Sequence, residues 1–317
     1  MDDDDVTPIT AESLDQPPPP RVKAPAWRQW LWRVGRVVLL THIGVALVLG
    51  TVQTKFIFPG AATQGQPYAR VIAAPDTELV QLTTPDGQTV TALFGWAMKD
   101  GSSDPGAANR PTILFFYGNG MCLADALDIH HELRQLGANV LIPDYLGYGL
   151  SSGAPSEAGC YATADACYDY LLSRDDVDET KIIAAGWSMG AGTAVDLASR
   201  RQVAGVALFS SFTSISDMAR RIVPLLPVSL ILQHKFDNER KLATIDAPVF
   251  LAHGRRDSII PAAMSAKLAR IAGDRLVEHM VIEDADHNDF FYVGGKELYA
   301  ALGRFIETAT APDSVGE

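Results

Sequence analysis

Apolar and polar residues follow one another along the chain in blocks whose lengths predict strands and helices in turn. Residues 112–117 form a continuous apolar run, which is typical of a strand buried on both faces of a sheet. Residues 123–136 then carry apolar positions at helical spacing. Similar patterns predict strands at 78–82, 90–98, 140–142, 203–209, 248–252 and 277–282, and helices at 156–172, 261–272 and 295–308. This alternation indicates an α/β fold with a mostly parallel central sheet flanked by helices.

One segment, residues 213–240, interrupts the alternation. It contains Pro224 and Pro227 and an apolar stretch at 222–232. We interpret it as a small helical cap over the carboxyl edge of the sheet, where ligands bind in open α/β sheets. The alternative is a pair of core helices remote from any site.

The amino-terminal part of the chain has a different character. Residues 1–26 are acidic and proline-rich and are expected to be disordered, as is the tail at 309–317. Residues 37–54 carry no formal charge, and these eighteen residues, with flanking tryptophans and arginines, are long enough for a bilayer span. We therefore predict a membrane anchor helix at 27–58 and a globular domain at 59–308.

Only Lys55 lies close after the uncharged run at 37–54, whereas five basic residues lie before it: Arg21, Lys23, Arg28, Arg33 and Arg36. The positive-inside rule then predicts a single-pass protein with a cytoplasmic amino terminus and the globular domain on the opposite side. A cleaved signal peptide and an amphipathic helix packed on the domain are the alternatives.

Charge and cysteine content exclude several classes of function. The net charge is -12, and the globular part has no basic stripe, which argues against a nucleic-acid partner. Cys160 and Cys167 are seven residues apart in a predicted helix, about 10 Å, which is too far for a disulfide. No Cys/His cluster has the spacing of zinc ligands, and no metal or organic cofactor is implied.

Residues 181–192 predict a short buried strand, a turn and a helix, with Ser188 at the turn. Gly186-Trp187-Ser188-Met189-Gly190 fits the G-x-S-x-G nucleophile elbow. The sharp reversal strains the serine, and a Cβ at either glycine would strike the neighbouring strand or helix. Ser188 is a candidate nucleophile, with the Met189 N–H as one oxyanion donor. A chance match in a chain with 26 glycines is the alternative.

A serine nucleophile needs a base that a third group orients, and the elbow fold supplies them in the order Ser, acid, His. His287 lies between the last predicted strand and the last helix and is the candidate base. Five other histidines are expected to be structural: His130 and His131 on a surface helix, His234 in the cap, His253 at a strand end and His279 within a strand.

Asp257 is the candidate acid, because it follows the strand at 248–252. Asp284, Asp286 and Asp289 are too close to His287 in sequence to reach behind its ring. The alternative for Asp257 is a surface carboxylate next to two arginines.

The second oxyanion donor is expected in the turn after the strand at 112–117. The backbone N–H of Asn119 is the candidate and Gly120 the fallback, while Gly118 permits a tight turn and close substrate approach. Tyr117, Gly118, Gly120 and Trp187 are candidate substrate-binding residues. Asp144 is expected to brace loops rather than to react.

Over residues 79–306 the sequence resembles the α/β-hydrolase family, and the anchor followed by Phe56-Ile57-Phe58-Pro59 looks like its membrane-anchored Bem-type branch. That branch also resembles protein depalmitoylases. Members of the Bem-type branch usually carry His-Gly at the position where this chain has Tyr117-Gly118. The motifs that carry the resemblance are the elbow, Tyr-Gly-Asn-Gly at 117–120, Pro-Asp-Tyr-x-Gly-Tyr-Gly at 143–149, His-Gly-x-x-Asp at 253–257 and Asp-His-Asn-Asp at 286–289.

The resemblance implies a serine hydrolase that cleaves a carboxylic ester or thioester of a small or lipid-like acyl group through an acyl-enzyme. A serine peptidase or amidase, and a non-catalytic scaffold on the same fold, are the alternatives. The acyl group and the oligomeric state stay open.

Overall fold

The strands at the centre of the molecule are apolar throughout and are buried on both faces. The computed structural model describes residues 25–99, 101–103 and 110–312, and in that part of the chain the main sheet has eight strands. A separate ribbon of two short strands follows the second strand of that sheet. The strands are β1 (Thr77–Thr83), β2 (Thr89–Gly95), β3 (Met98–Lys99), β4 (Ser102–Ser103), β5 (Thr112–Phe116), β6 (Asn139–Pro143), β7 (Ile182–Trp187), β8 (Gly205–Phe209), β9 (Val249–Gly254) and β10 (Leu276–Ile282).

The main sheet has the strand order β1-β2-β6-β5-β7-β8-β9-β10. β2 pairs antiparallel with both β1 and β6, whereas every pair from β6 to β10 is parallel. The carboxyl ends of β7, β9 and β10 therefore meet at one edge of the sheet. The continuous apolar sequence of the central strands suits a parallel sheet whose two faces are both covered.

Helices pack against the main sheet. The predicted α/β fold and its main elements are confirmed, with boundaries that differ by a few residues. The helices are α1 (Ala26–Ile57), α2 (Leu127–Gln135), α3 (Glu157–Leu172), α4 (Met189–Ala198), α5 (Ile215–Ile222), α6 (Val228–Ile231), α7 (Asn238–Leu242), α8 (Ala262–Ala272) and α9 (Phe290–Ala309).

The last helix begins earlier than the sequence predicts. α9 starts at Phe290, and its backbone is non-helical at Gly295, with φ 44° and ψ -138°. The predicted start at Gly295 therefore coincides with a kink inside the helix, because helical periodicity is interrupted there.

The prediction that His130 lies on the surface is wrong. His130 is only 2% exposed, because α2 turns this face toward β2 and Gly95 leaves room for the ring. A Cβ on Gly95 would come within 2.5 Å of His130 Cε1. Burial, with the nearby Arg134 charge, lowers the pKa of His130 to about 3. His131, one residue on, is exposed as predicted.

The amino-terminal helix is divided between two compact units, and the division falls after Ala46. α1 is long and apolar enough to cross a membrane by length and composition. Large apolar side chains in the part of α1 before this division are exposed, among them Trp32 at 75% and Leu40 at 62%. The predicted disordered ends lie almost wholly outside the described residues.

Residues 47–57 of α1 pack within the second unit rather than projecting from it. The predicted boundary between anchor and domain, at residue 58, therefore differs from the division of the structure, which falls after Ala46. The Gln53 side chain is buried there, and its amide forms hydrogen bonds with the backbone of the cap.

Candidate active site

The turn between β7 and α4 holds Ser188 in a strained conformation. Ser188 has φ 56° and ψ -117°, in the region that side chains with a Cβ rarely occupy. A Cβ on Gly186 would lie 2.1 Å from the carbonyl oxygen of Gly190, and one on Gly190 would lie 1.9 Å from that of Phe116. The predicted need for both glycines is confirmed, and Ser188 directly precedes the first residue of α4.

Ser188, His287 and Asp257 form a continuous line of hydrogen bonds at the carboxyl edge of the sheet. The Ser188 Oγ lies 3.0 Å from His287 Nε2, and His287 Nδ1 lies 2.7 Å from Asp257 Oδ2. A carboxylate only accepts hydrogen bonds, so Nδ1 carries the proton and Nε2 is free to accept from the serine hydroxyl. All three side chains are buried, which keeps bulk water from competing for these bonds.

Asp257 is held from several sides by the loop that follows β9. Its Oδ1 accepts from the Ile259 and Ile260 N–H groups at 3.0 and 2.6 Å. Burial raises the pKa of this carboxyl, but hydrogen bonds from His253 and His287 oppose burial and leave the pKa well below its ordinary value. The neighbouring arginines pair elsewhere, Arg255 with Glu283 and Arg256 with Asp284, so Asp257 is not a surface carboxylate.

His253 also faces the acid, although sequence reasoning gave it no role at the site. Its Nε2 lies 2.8 Å from the Ile260 carbonyl oxygen and 3.3 Å from Asp257 Oδ2. Because a carbonyl only accepts, Nε2 carries the proton and points into the loop that holds Asp257. The signal in the sequence was the spacing of His253 and Asp257, four residues apart across the turn.

Asp286 connects the loop of the acid to the loop of the histidine. Its Oδ1 accepts from the N–H groups of Ser258 and His287, both at 2.7 Å. The residue beside His287 thus fixes the backbone from which the imidazole projects. As predicted, it is Asp257 and not Asp286 that stands behind the ring.

Asn119 and Met189, the candidate oxyanion donors, line one cavity with Ser188. Met189 is the first residue of α4, so its N–H has no acceptor within the helix. The Asn119 carbonyl accepts from the Gly60 N–H at 2.9 Å and from the Tyr148 hydroxyl at 3.0 Å, and its side-chain amide donates to the Ile57 carbonyl at 3.1 Å. These bonds fix the turn that carries its N–H.

The four candidate substrate-binding residues occupy different surroundings. A Cβ on Gly118 would lie 3.3 Å from the Trp187 ring, whereas one on Gly120 would have no neighbour within 4 Å. The Trp187 ring stacks on the His287 imidazole, with centroids 5.5 Å apart.

Tyr117 points away from the cavity, into the core. Its hydroxyl donates to Asp144 Oδ1 at 2.8 Å, and the side chain is 0% exposed. Asp144 also accepts from the Leu123 and Leu150 N–H groups, which confirms that it braces loops. Burial raises the pKa of this carboxyl, and the three donors only partly oppose that effect.

The cavity beside Ser188 has a volume of about 440 Å³ and is almost entirely apolar. Its polar lining residues are Ser188, Asn119 and Gln53. The apolar lining comes from the end of α1, from the start of α4, from α5 and α6 and from four connecting segments: Leu49, Phe56, Ile57, Met189, Phe212, Ile215, Met218, Ala219, Ile222, Val223, Val228, Ile231, Leu232 and Ile260.

The three cysteines are buried and unbridged, as predicted for Cys160 and Cys167. Burial raises the pKa of Cys122 to about 11, and the adjacent Asp125 adds to the effect. Within residues 25–99, 101–103 and 110–312, no group of three or more His, Cys, Asp or Glu side chains is arranged to hold a metal ion.

The fold and this site define a class of protein, α/β proteins with a serine at a nucleophile elbow. A model of the alpha/beta hydrolase fold matches residues 111–230. The chain is 32% identical to the uncharacterized protein Rv2307c of Mycobacterium tuberculosis over 86% of this chain and 94% of that protein. It is 28% identical to the uncharacterized protein YfhR of Salmonella typhi, over 74% of this chain and 82% of that one.

Solved structures share the fold at lower sequence identity. The esterase Pf2001 of Pyrococcus furiosus superposes with a TM-score of 0.61 and 18% identity, over 76% of this chain and 96% of that one. With the relative in Mycobacterium tuberculosis, these likenesses identify the family: the chain belongs to the α/β-hydrolase fold family.

Proposed function

We propose that this protein is a serine hydrolase that cleaves a carboxylic ester or thioester through an acyl-enzyme intermediate. The observation that carries the proposal is the buried line of hydrogen bonds from Ser188 through His287 to Asp257. Each group has the hydrogen-bond neighbour that its role requires. The family membership and the esterase among the solved structures with this fold support the same chemistry.

In the first half-reaction the Ser188 Oγ attacks the carbonyl carbon of the substrate while His287 Nε2 takes its proton. Asp257 accepts the Nδ1 hydrogen bond and stabilises the imidazolium that forms. The carbonyl oxygen becomes an oxyanion, which the Met189 and Asn119 N–H groups stabilise. The intermediate then collapses, the bond to the alcohol or thiol breaks, and His287 gives the proton to that leaving group.

In the second half-reaction a water molecule replaces the leaving group. His287 takes a proton from the water as its oxygen attacks the acyl carbon. Collapse of the second tetrahedral intermediate breaks the bond to Ser188 and returns the proton to its oxygen. The products are a carboxylic acid and a free alcohol or thiol, and the enzyme returns to its starting state.

Replacement of Ser188 tests the proposal. We expect Ser188→Ala to lower ester hydrolysis by at least about 10³-fold, because the nucleophile is gone. Ser199→Ala, at the other end of α4, should retain activity and serves as the matched control. A Ser188→Ala variant that hydrolyses esters at the rate of the unaltered protein would refute the proposed role.

Two other functions on the same fold are distinguished by separate measurements. A peptidase or amidase must protonate a poorer leaving group, so the ratio of amide to ester turnover on matched substrates decides between them. A non-catalytic scaffold predicts that a fluorophosphonate probe leaves the folded protein unlabelled. The almost entirely apolar lining of the cavity favours an acyl chain over a peptide backbone, whose polar groups need partners.

The helix α1 is proposed to anchor the protein in a membrane, as in the Bem-type branch that the sequence resembles. Exposed apolar side chains along residues 26–46 of α1 support this role over packing against a protein surface. Full-length protein should stay in the membrane fraction after alkaline carbonate extraction. Release of full-length protein would contradict the anchor, and a mature amino terminus beyond residue 46 would identify a cleaved signal peptide instead.

A further inference from the structure

The end of α1 contributes one wall of the cavity beside Ser188. Leu49, Gln53, Phe56 and Ile57, at a spacing of four, three and one residues, lie along the face of the helix that lines it. α5 and α6 of the cap form another part of the lining. Residues 47–57 are therefore part of the site and do more than connect an anchor to a domain.

Several hydrogen bonds fasten this segment to the cap. The Gln53 side-chain amide donates to the Ile231 carbonyl at 3.2 Å, and its oxygen accepts from the Gln233 N–H at 2.8 Å. The Thr54 hydroxyl lies 3.2 Å from His234 Nε2. Gln53, the polar residue in this wall, is thus occupied by the protein's own backbone, and its amide is satisfied without a ligand.

The same segment is fastened to the candidate oxyanion turn. Asn119 donates from its side chain to the Ile57 carbonyl, and the Gly60 N–H donates to the Asn119 carbonyl. A Cβ on Gly60 would lie 2.7 Å from that carbonyl oxygen, so the chain can pass this close only with glycine. The wall of the cavity and the group expected to bind the oxyanion are held by one short stretch of chain.

The size and lining of the cavity fit an alkyl chain. A water-sized or methylene-sized group takes about 30 Å³, so a cavity of about 440 Å³ accommodates about 15 of them. The polar groups of a sugar or peptide would find few partners among its side chains, whereas methylene groups need none.

We propose that the cavity is an acyl-chain site in which residues 47–57 of α1 form one wall, so that this helix sets the length of the chain that is hydrolysed. The inference rests on the proposed serine hydrolase function. Its substrate class is a single-chain fatty-acyl ester or thioester of up to about 12 to 15 carbons, with the carbonyl at Ser188 and the alkyl chain between α1 and the cap.

The test changes the wall at Leu49 and uses the next residue as the control. Val48 is 59% exposed and does not line the cavity, so Val48→Trp and Val48→Ala match Leu49→Trp and Leu49→Ala in helix position. The full chain in lipid nanodiscs is assayed with p-nitrophenyl esters from acetate to octadecanoate. Partitioning of long esters into lipid affects all variants alike and cancels when they are compared at one chain length.

We expect kcat/KM of the unaltered protein to rise by up to about fourfold per methylene until the cavity is filled. Leu49→Trp should reach its maximum about two or more carbons earlier and retain acetate hydrolysis, because it fills space about 12 Å along the helix from Ile57, the residue that bonds Asn119. Leu49→Ala should shift the maximum in the opposite direction. Profiles of both Leu49 variants that superimpose on those of the Val48 variants would overturn the proposal.

A binding measurement separates this inference from the proposed catalysis. Ser188→Ala protein cannot turn over, so dodecanoate binding is compared between Ser188→Ala/Leu49→Trp and Ser188→Ala/Val48→Trp. At least tenfold weaker binding in the first supports the acyl site even if no ester is hydrolysed by the unaltered protein, a result that would refute only the proposed function. Equal binding in the two variants overturns the acyl site.

Discussion

At the scale of single residues, the site depends on a carboxylate that is buried but remains charged. Asp257 accepts hydrogen bonds from two histidines and two backbone N–H groups, and these keep its pKa low despite burial. The group therefore stabilises the folded protein only while it is ionised.

Replacement of Asp257 by asparagine should lower kcat by about 10⁴-fold, because a neutral amide neither stabilises an imidazolium nor selects the required tautomer of His287. Asp284→Asn is the control, since Asp284 is an exposed partner of Arg256. Steady-state kinetics on one ester would measure both. Similar activity of the two variants would mean that Asp257 is not the orienting acid.

The lowered pKa of Asp257 also predicts how stability depends on pH. A carboxyl whose pKa is depressed by folding contributes stability above its unfolded pKa of about 3.9, and this contribution is lost as the pH falls below that value. Urea unfolding between pH 3 and 7 should show a steeper loss below about pH 4 for the unaltered protein than for Asp257→Asn. Parallel curves would contradict the assigned shift.

The sequence predicted the members of this line of hydrogen bonds because each lies at a recognisable place, an elbow or the end of a strand. His253 was assigned only a structural role, because contact with Asp257 depends on how the loop at 255–260 turns back. Tyr117 was expected at the substrate, but its side chain turns inward to Asp144. The direction of a side chain at a strand end is a tertiary property that neither hydrophobic pattern nor motif specifies.

At the scale of elements, the contact between α4 and β5 leaves no room for a side chain at Gly190. Gly190→Ala would push a methyl group into the Phe116 carbonyl and should cost about 3 kcal/mol or more of unfolding free energy. Gly303→Ala, on α9, meets only an ordinary contact at 3.9 Å and should be neutral or slightly stabilising. Denaturant unfolding compares them, and equal stabilities would show that the elbow can relax.

The Gln53 side-chain amide makes two of the hydrogen bonds between α1 and the cap. Gln53→Met retains much of the volume but leaves the Ile231 carbonyl and the Gln233 N–H without this partner, at a cost of about 1 kcal/mol. We expect faster hydrogen exchange at the Gln233 amide. Gln233→Met, whose altered side chain is exposed, is the control. Unchanged exchange in Gln53→Met would mean that the amide does not hold this segment.

This contact could not be predicted from the sequence. The same run of leucine, isoleucine and phenylalanine suits a lipid environment and a protein cavity equally well, because both bury apolar surface. A local signal was the pair Gln53 and Thr54 at the end of the apolar run, since polar side chains that become buried need partners.

At the scale of the whole molecule, the sheet and its helices were predictable because apolar runs and helical spacing are local properties. The contacts of residues 47–57 were not predictable, since they depend on which residues the end of α1 meets after folding. These residues pack within the unit that begins after residue 46, whereas the boundary of the anchor at residue 58 stays a prediction from hydropathy. The predicted start of α9 at Gly295 was five residues late, because the kink there interrupts the helical periodicity and so resembles the beginning of a helix.

Truncation distinguishes these two boundaries. A chain that starts at residue 47 keeps the four cavity residues of α1, whereas one that starts at residue 61 loses them together with the Ile57 partner of Asn119. We expect the shorter chain to lose hydrolysis of decanoate esters by at least tenfold more than that of acetate esters. Thermal unfolding of both chains checks that they are folded. The same ester selectivity in the two chains would contradict this division.

The three native cysteines are buried, so they should react only slowly with thiol-labelling reagents. Each thiol is shielded from solvent, and burial raises its pKa, so little reactive thiolate is present at neutral pH. A single cysteine introduced at an exposed position of α1, such as Val48, can then carry a spin label or fluorophore without removal of the native ones. Spectroscopy of that label would then test whether the position of this helix changes when a fatty acid is added.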